Sequence, residues 1–125
     1  MSRKDLPERR KHKRIQVKKP VFVEFAAEPS KVGQIIDISR GGISFRYIAE
    51  EEVLNESFEV RIYSAVDSVS LDKVPVKTVY DFKIGPGFTI SATQARRRGA
   101  KFAEMTRKQI SQLKSFIQSL TEAKA

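Results

Sequence analysis

Most of the chain consists of short stretches in which apolar and polar residues alternate. An apolar residue at every second position is typical of a strand with one buried face. Clear alternation predicts strands at 21–25, 32–38, 43–47 and 58–63. Weaker alternation predicts three more, at 74–82, 88–90 and 100–102. We expect Pro75 to mark an edge or the start of its strand, because proline cannot donate a hydrogen bond to a neighbouring strand.

Glycine- and proline-containing turns separate these strands. Glu28-Pro29-Ser30-Lys31 and Gly85-Pro86-Gly87 both predict turns. Arg40-Gly41-Gly42 predicts a tight connection, in which the paired glycines supply positive φ angles. Just before it, Val32, Gln34, Ile36 and Ile38 are expected to face the core, so that Asp37 and Ser39 point outward.

The last segment changes to a helical period. Thr106 and Gln109 form a capping box, and a helix is expected over about 106–121. Its apolar residues recur on one face. They are Ile110, Leu113, Phe116, Ile117 and Leu120.

The predicted fold is therefore mostly β. Six or seven short strands followed by one helix indicate a small antiparallel β-barrel, because closure removes exposed strand edges. A chain of 125 residues fits one domain. We expect residues 1–15 to form a flexible basic arm, and residues 16–125 to form the barrel with its C-terminal helix.

Positive charge is concentrated at the start of the chain. The net charge is +9, and the first 19 residues hold nine basic and two acidic residues. Such an arm attracts nucleic acid, nucleotide phosphates or an acidic membrane surface, although a solvated tail has the same composition. The later run Arg96-Arg97-Arg98 could add to an anion site, but a solvated turn is the preferred interpretation.

Composition excludes several kinds of chemistry. There is no cysteine, and His12 is the single histidine, so thiol chemistry and multi-histidine metal sites are ruled out. We expect no enzyme activity, no cofactor and no metal. No apolar run is long enough for a transmembrane helix, and no secretory signal is apparent. We therefore expect a cytoplasmic protein without membrane insertion.

Two motifs could bind an anionic ligand. The first is an RxxxR spacing in the arm, formed by Arg10 and Arg14. A guanidinium can donate two parallel hydrogen bonds to a phosphate or to guanine. The second is a DxSxxG pattern formed by Asp37, Ser39 and Gly42. A carboxylate there can accept hydrogen bonds from guanine, although a polar strand end with a serine turn would look the same.

An RxxxR arm, a strand and then DxSxxG, in that order, resembles the PilZ domain family. The resemblance continues through residues 98–102 and the C-terminal helix. It implies a bacterial protein that binds the second messenger cyclic di-GMP and acts through a downstream protein partner.

The resemblance also implies which residues bind that ligand. Arg10 and Arg14 would hold the phosphates and an edge of guanine, Asp37 and Ser39 would hold a guanine, and Gly42 is the motif glycine. Arg40 and Gly41 occupy variable positions within the motif. Arg9, just before RxxxR, would favour an intercalated pair of ligand molecules.

Two alternatives remain open at this stage. One is a small barrel that binds nucleic acid, which the basic arm and eleven aromatic residues would permit. The sequence suggests no exposed stacking platform, however, so a nucleic-acid partner has little support. The other alternative is a PilZ-like adaptor that binds a protein and no nucleotide.

Overall fold

A computed structural model describes residues 13–28, 31–49, 56–66, 69–85 and 94–122. These residues form seven strands and one helix. The elements are β1 (Ile15–Gln16), β2 (Val21–Phe25), β3 (Val32–Ile38), β4 (Gly42–Ala49), β5 (Ser57–Ser64), β6 (Ser70–Lys83), β7 (Gln94–Phe102) and α1 (Arg107–Glu122).

Six of the strands close into a barrel. Neighbouring strands follow the order β3, β2, β5, β6, β7 and β4, and pairing of β4 with β3 completes the ring. Every pair is antiparallel. The short β1 lies outside the ring and pairs with the end of β3, where Gln16 is opposite Asp37. The predicted small antiparallel barrel is confirmed.

Strand β3 contains a bulge that the alternation did not predict. Its pairing with β4 shifts between Ile35 and Asp37, so that Ile36 is an extra residue. Because the bulge reverses the alternation, Ile35 and Ile38 are both buried, while Gln34 and Val32 are exposed. The expectation that Val32 and Gln34 face the core was therefore wrong, whereas Asp37 does lie on the outer face.

Pro75 lies inside the long strand β6 and not at its start. It pairs with Glu59 of β5 on one side. Pairing of β6 with β7 begins one residue later, at Val76, and the carbonyl of Pro75 accepts a hydrogen bond from Ala103 just beyond β7. The missing N–H of Pro75 therefore falls where the ladder with β7 has ended, which makes a proline acceptable there.

The barrel is filled by the inward-facing residues of all six strands. Valine, isoleucine and phenylalanine dominate this core, as the alternation predicts. The fully buried members include Val21, Val23, Phe45, Val60, Ile62, Leu71 and Val74.

The C-terminal helix packs against this core through the predicted face. Leu113, Phe116 and Leu120 are buried, whereas Ile110 is 44% exposed. The capping box forms as predicted, because Thr106 and Gln109 each donate a backbone N–H to the other's side chain. The side-chain amide of Gln109 also donates to the carbonyls of Asp72 and Lys73, which fixes the start of the helix to β6.

Two of the predicted strands do not correspond directly to an observed strand. The strand predicted at 88–90 lies outside the described residues. The strand predicted at 100–102 is longer than expected, since β7 begins at Gln94 and includes the whole run Arg96-Arg97-Arg98.

We expect Leu113→Ala to lower the free energy of unfolding by about 2–5 kcal/mol, because it leaves a cavity between the helix and the barrel. Ile110→Ala on the same helix is the matched control and should cost less than about 1 kcal/mol, since that side chain is largely exposed. Urea unfolding of both variants measures the difference. Equal losses would mean that the helix is not packed by this face.

Candidate ligand-binding site on the outer sheet face

The three arginines of β7 alternate between the inside and the outside of the barrel. Arg96 and Arg98 are buried, and the side chain of Arg97 is 34% exposed on the outer face. The interpretation of this run as a solvated turn was therefore wrong. Alternation along a strand separates consecutive side chains onto opposite faces, and here it divides one basic run between a core network and a surface site.

Asp81 forms an ion pair with each of the two inward-facing arginines. Its Oδ1 accepts a hydrogen bond from Arg96 Nε at 2.6 Å, and its Oδ2 accepts one from Arg98 Nε at 2.7 Å. The Tyr47 hydroxyl also donates to Oδ2 of Asp81 and accepts from Arg98 at 3.0 Å. A buried cation is stable only when it is paired, so this network makes two arginines compatible with the barrel interior.

Aromatic rings surround the innermost of these arginines. The guanidinium of Arg98 lies 5.0 Å from the ring centre of Phe58, 5.1 Å from that of Tyr47 and 5.6 Å from that of Phe25. Arg98 itself is completely buried. These cation–π contacts add to the ion pair with Asp81 and make Arg98 part of the core.

The strand register places a row of residues side by side on the outer face. Asp37 of β3 pairs with Ser44 of β4, Ser44 pairs with Gly99 of β7, and Gly99 pairs with Tyr80 of β6. Paired residues of antiparallel strands project to the same side of a sheet. We call this set (Asp37, Ser44, Gly99 and Tyr80) the motif row.

A second row lies beside the motif row. Gln34 pairs with Arg46, Arg46 with Arg97, and Arg97 with Phe82. We call this set (Gln34, Arg46, Arg97 and Phe82) the arginine row. Its side chains cover part of the motif row, since Arg97 Nη2 donates a hydrogen bond to Ser44 Oγ at 3.3 Å.

Asp37 is contacted by two arginines from different parts of the chain. Arg14 Nη1 donates to Oδ1 at 3.0 Å, and Arg97 Nη2 lies 3.5 Å from Oδ2. The side chain of Asp37 is 16% exposed and that of Arg14 is 38% exposed. The result is a half-open cluster of one carboxylate and two guanidinium groups, which is suited to a ligand that carries both anionic and donor groups.

Ser39 has a structural part in the turn between β3 and β4. Its Oγ accepts hydrogen bonds from the backbone N–H groups of Gly41 and Gly42 at 3.0 and 3.2 Å. The side chain is buried, so the expectation that Ser39 points outward was wrong. Both lone pairs of the hydroxyl are thereby used, and its proton is what Ser39 can still offer to a ligand.

The physical requirement for glycine in this turn differs from the one expected. Among the described residues, the glycine with positive φ is Gly85, so Gly41 and Gly42 do not supply that conformation. A Cβ on Gly42 would lie 2.4 Å from the carbonyl oxygen of Ala100. Gly42 is therefore required by the close approach of β7.

The structure brings together some of the predicted site residues. Arg14 and Asp37 are in contact, and Ser39 and Gly42 lie in the adjoining turn. Gly41 is part of the same turn, and Arg40 is exposed beside it. Arg9 and Arg10 lie outside the described residues.

Two features of this face were missed from the sequence. Arg97 contacts Asp37, and the half-buried Tyr80 stacks with the exposed Phe82, with ring centres 5.6 Å apart. Phe82 is 47% exposed, an outward-facing aromatic ring that the sequence analysis did not predict. The bulge between Thr78 and Tyr80 turns Tyr80 outward, and the alternation around it gives no sign of this shift.

Within the described part of the chain, no cluster of three or more acidic or histidine side chains is arranged to hold a metal ion. No helix among these same residues is long and apolar enough to cross a membrane.

We expect Asp81→Asn to lower the free energy of unfolding by about 3–5 kcal/mol, because it leaves two buried arginines without their counter-charge. Asp72→Asn is the matched control. Asp72 is exposed and pairs with Arg61 at the surface, so its loss should cost less than about 1 kcal/mol. Similar urea midpoints for the two variants would contradict the role of Asp81.

The same network sets the pH range of stability. Burial raises the pKa of Asp81, but hydrogen bonds from Tyr47, Arg98 and Arg96 outweigh it and lower the pKa overall. Burial and the bond to Asp81 raise the pKa of Tyr47. The contribution of Asp81 is thus present above its ordinary pKa of about 3.9 and lost at lower pH, and that of Tyr47 is present below about pH 10 and lost at higher pH.

The free energy of unfolding of the wild type should therefore decrease above about pH 10, and this decrease should be smaller in Tyr47→Phe. Tyr63→Phe is the control. An alkaline limb that is unchanged in Tyr47→Phe would contradict this assignment.

Comparison with known proteins agrees with this architecture. The PilZ domain family profile matches residues 8–119. The PilZ domain with c-di-GMP of YcgR from Escherichia coli is similar with a TM-score of 0.70 and 18% identity, over 93% of this chain and 94% of that one. The MrkH–c-di-GMP complex of K. pneumonia gives 0.69 and 13%, over 94% of this chain and 55% of that one.

The longer YcgR chain from Escherichia coli, in complex with c-di-GMP, gives a TM-score of 0.66 and 17% identity. The match covers 92% of this chain and 47% of that one, so the present chain spans about half of the longer YcgR and MrkH chains. No curated protein sequence matches it. Since the family profile extends from the arm to the C-terminal helix, the chain belongs to the PilZ domain family.

Proposed function

We propose that this protein is a non-catalytic bacterial receptor for cyclic di-GMP. The observation that carries the proposal is the contact between Arg14 and Asp37. These residues come from the RxxxR and DxSxxG motifs, are 23 positions apart and meet at 3.0 Å. The proposed ligand contacts are Arg10, Arg14, Asp37, Ser39 and Gly42, with lesser contributions from Arg9, Arg40 and Gly41.

Asp37 has the chemistry to recognise guanine. The Watson–Crick edge of guanine presents two adjacent donors, N1–H and N2–H₂, which match the two oxygens of a carboxylate. Both oxygens of Asp37 now face arginines. A guanine at Asp37 must therefore replace these ion pairs, which releases Arg14 and Arg97 for other groups of the same ligand.

Arg14 has the chemistry to hold a phosphate. Its guanidinium is more than one-third exposed and lies at the mouth of the cluster. Charge-assisted bonds from a guanidinium to a phosphate are among the stronger hydrogen bonds in proteins. A cyclic dinucleotide thus exchanges the two ion pairs of Asp37 for a guanine–carboxylate contact and a phosphate–guanidinium contact.

The remaining motif residues shape the turn beside this cluster. Because the Ser39 oxygen already accepts two bonds, we infer that Ser39 donates its proton to a guanine or phosphate oxygen. Gly42 acts indirectly, by allowing β7 to approach. Gly42→Ala is consequently a poor test of ligand contact, because it would disturb the barrel itself.

The position of the arm indicates how ligand binding would be signalled to a partner. Gln16 of β1 pairs with Asp37, so the chain segment that carries RxxxR enters the barrel beside the proposed ligand. We infer that the ligand holds Arg10 and the rest of the arm against the barrel. The altered surface would then be recognised by a downstream protein partner.

Calorimetric titration with cyclic di-GMP, and with GTP for comparison, tests this proposal. The wild type should bind cyclic di-GMP saturably and in preference to GTP. Arg14→Ala should weaken binding about 10- to 150-fold, the equivalent of one charge-assisted hydrogen bond. Arg10→Ala and Asp37→Ala should weaken it to a similar extent.

Arg61→Ala is the matched control. Arg61 is also an ion-paired surface arginine of similar exposure, but it lies on β5 and contacts Glu24 and Asp72. Its loss should leave the affinity unchanged. A folded wild type that binds no cyclic di-GMP, or an equal effect of Arg14→Ala and Arg61→Ala, would overturn the assignment.

A further inference from the structure

A groove of about 650 Å³ lies between the segment around β1 and the end of the C-terminal helix. Residues 13–19 form one wall, and Leu120 and Thr121 of α1 form the other. None of these residues belongs to the motif row or to the arginine row. We call this feature the β1 groove. Its volume is in the range of sites that bind a small molecule or a few residues of a peptide.

The β1 groove follows one edge of strand β1. Among the strands that the structure describes, β1 pairs with β3 on one side. Consecutive side chains of a strand point to opposite faces, yet every residue from 13 to 19 lines the groove. A groove that contacts both sets of side chains lies along the edge of the strand.

The backbone at this edge can accept a further strand. Val17 donates its N–H to the carbonyl of Ile36 in β3. Because successive N–H groups of a strand point to opposite edges, the N–H of Gln16 points away from β3. An open edge of this kind is a template for pairing with another extended chain.

Apolar residues form part of both walls. Ile15 and Val17 are half-buried, and Leu120 of α1 is 7% exposed. Val17 also packs against the core of the barrel. The β1 groove can therefore hold the apolar side chains that an added strand presents at alternate positions.

The charge of the β1 groove selects an acidic occupant. Four of its nine lining residues are lysine or arginine, and none of these nine is acidic. Lys13 and Lys18 are exposed. A second copy of the chain would be repelled, since its net charge is +9. None of the nine is aromatic either, so a nucleic-acid strand would find no ring on which to stack its bases.

We propose that the β1 groove binds an extended acidic segment of a partner protein, which adds as a strand to β1. The backbone of the segment pairs with the edge at Gln16. Its apolar side chains contact Ile15, Val17 and Leu120, and its carboxylates face the lysines. As the docking site of the downstream partner, the groove rests on the proposed function, whereas its binding of an acidic peptide does not require cyclic di-GMP.

Fluorescence anisotropy without cyclic di-GMP tests this proposal. The probe is a short fluorescein-labelled peptide in which glutamate alternates with valine. The wild type should bind it saturably and should not bind a peptide with lysine in place of glutamate. Lys18→Glu should weaken binding about 3- to 10-fold, because repulsion replaces attraction at an exposed position.

Lys114→Glu is the matched control. Lys114 is also an exposed lysine, but it lies on α1 and does not line the β1 groove. The substitution changes the net charge by the same amount as Lys18→Glu, so it measures the effect of overall charge. It should leave the affinity for the acidic peptide nearly unchanged.

A second pair of peptides tests the backbone pairing. One is N-methylated at its glutamates and the other at its valines, so that each lacks the N–H groups of one edge. The peptide methylated on the edge that faces β1 should bind about 3- to 10-fold more weakly, the equivalent of one hydrogen bond, and the other should bind normally. Equal affinities of the two would contradict strand addition.

The remaining outcomes separate the groove from the receptor function. No saturable binding of the acidic peptide, or equal effects of Lys18→Glu and Lys114→Glu, would overturn the proposal. Tighter binding of a single-stranded oligonucleotide or of phosphatidylglycerol vesicles, if weakened by Lys18→Glu, would assign the groove to nucleic acid or to a membrane instead. A wild type that binds the peptide but not cyclic di-GMP would retain the groove and lose the receptor function, and the reverse result would retain the receptor function alone.

Discussion

The ion pairs of Asp81 inside the barrel determine how the outer face is built. Asp81 can pair with both Arg96 and Arg98 only if both point inward, and Arg97 must then point outward. A shift of β7 by one residue would turn Arg97 inward and Arg96 and Arg98 outward. Asp81 would then face one arginine, and Arg97 would lie away from Asp37. The geometry of the surface cluster thus depends on a contact inside the barrel, on the opposite face of β7.

The outer cluster has the opposite character, because its ion pairs are exposed enough to be exchanged. Arg14 and Arg97 hold the Asp37 carboxylate in place while leaving it accessible. The guanidinium groups of these pairs are about one-third exposed, so their replacement by a ligand costs the fold less than loss of the fully internal pairs of Asp81 would. The barrel therefore separates arginines that stabilise it from arginines available for binding, although both kinds occur within three consecutive residues.

The sequence predicted those features that depend on local periodicity. Strand positions, the capping box of Thr106 and Gln109, and the buried face of the helix all follow from short-range patterns. It did not predict the bulge at Ile36 or the one before Tyr80, because an extra residue in one strand is defined by the register of its neighbour. The partners of Arg96, Arg97 and Arg98 were missed for the same reason: charge alone does not show which side of a strand faces a carboxylate. The arrangement of Arg10 remains a prediction.

Strand β1 is short. Among the residues that the structure describes, Ile15 and Gln16 pair with β3, Val17 adds one backbone hydrogen bond to Ile36, and Arg14 adds its ion pair with Asp37. The backbone of Asp37 pairs with Gln16 of β1, and its side chain is the proposed contact for the ligand. Pairing of β1 and binding of the ligand therefore involve the same residue. Thermodynamic linkage then works in both directions: a partner that fixes β1 on the barrel would tighten ligand binding by the same factor by which the ligand tightens the partner. In the proposed receptor, a two-residue strand thus makes the affinity for the ligand depend on how firmly β1 is paired with the barrel.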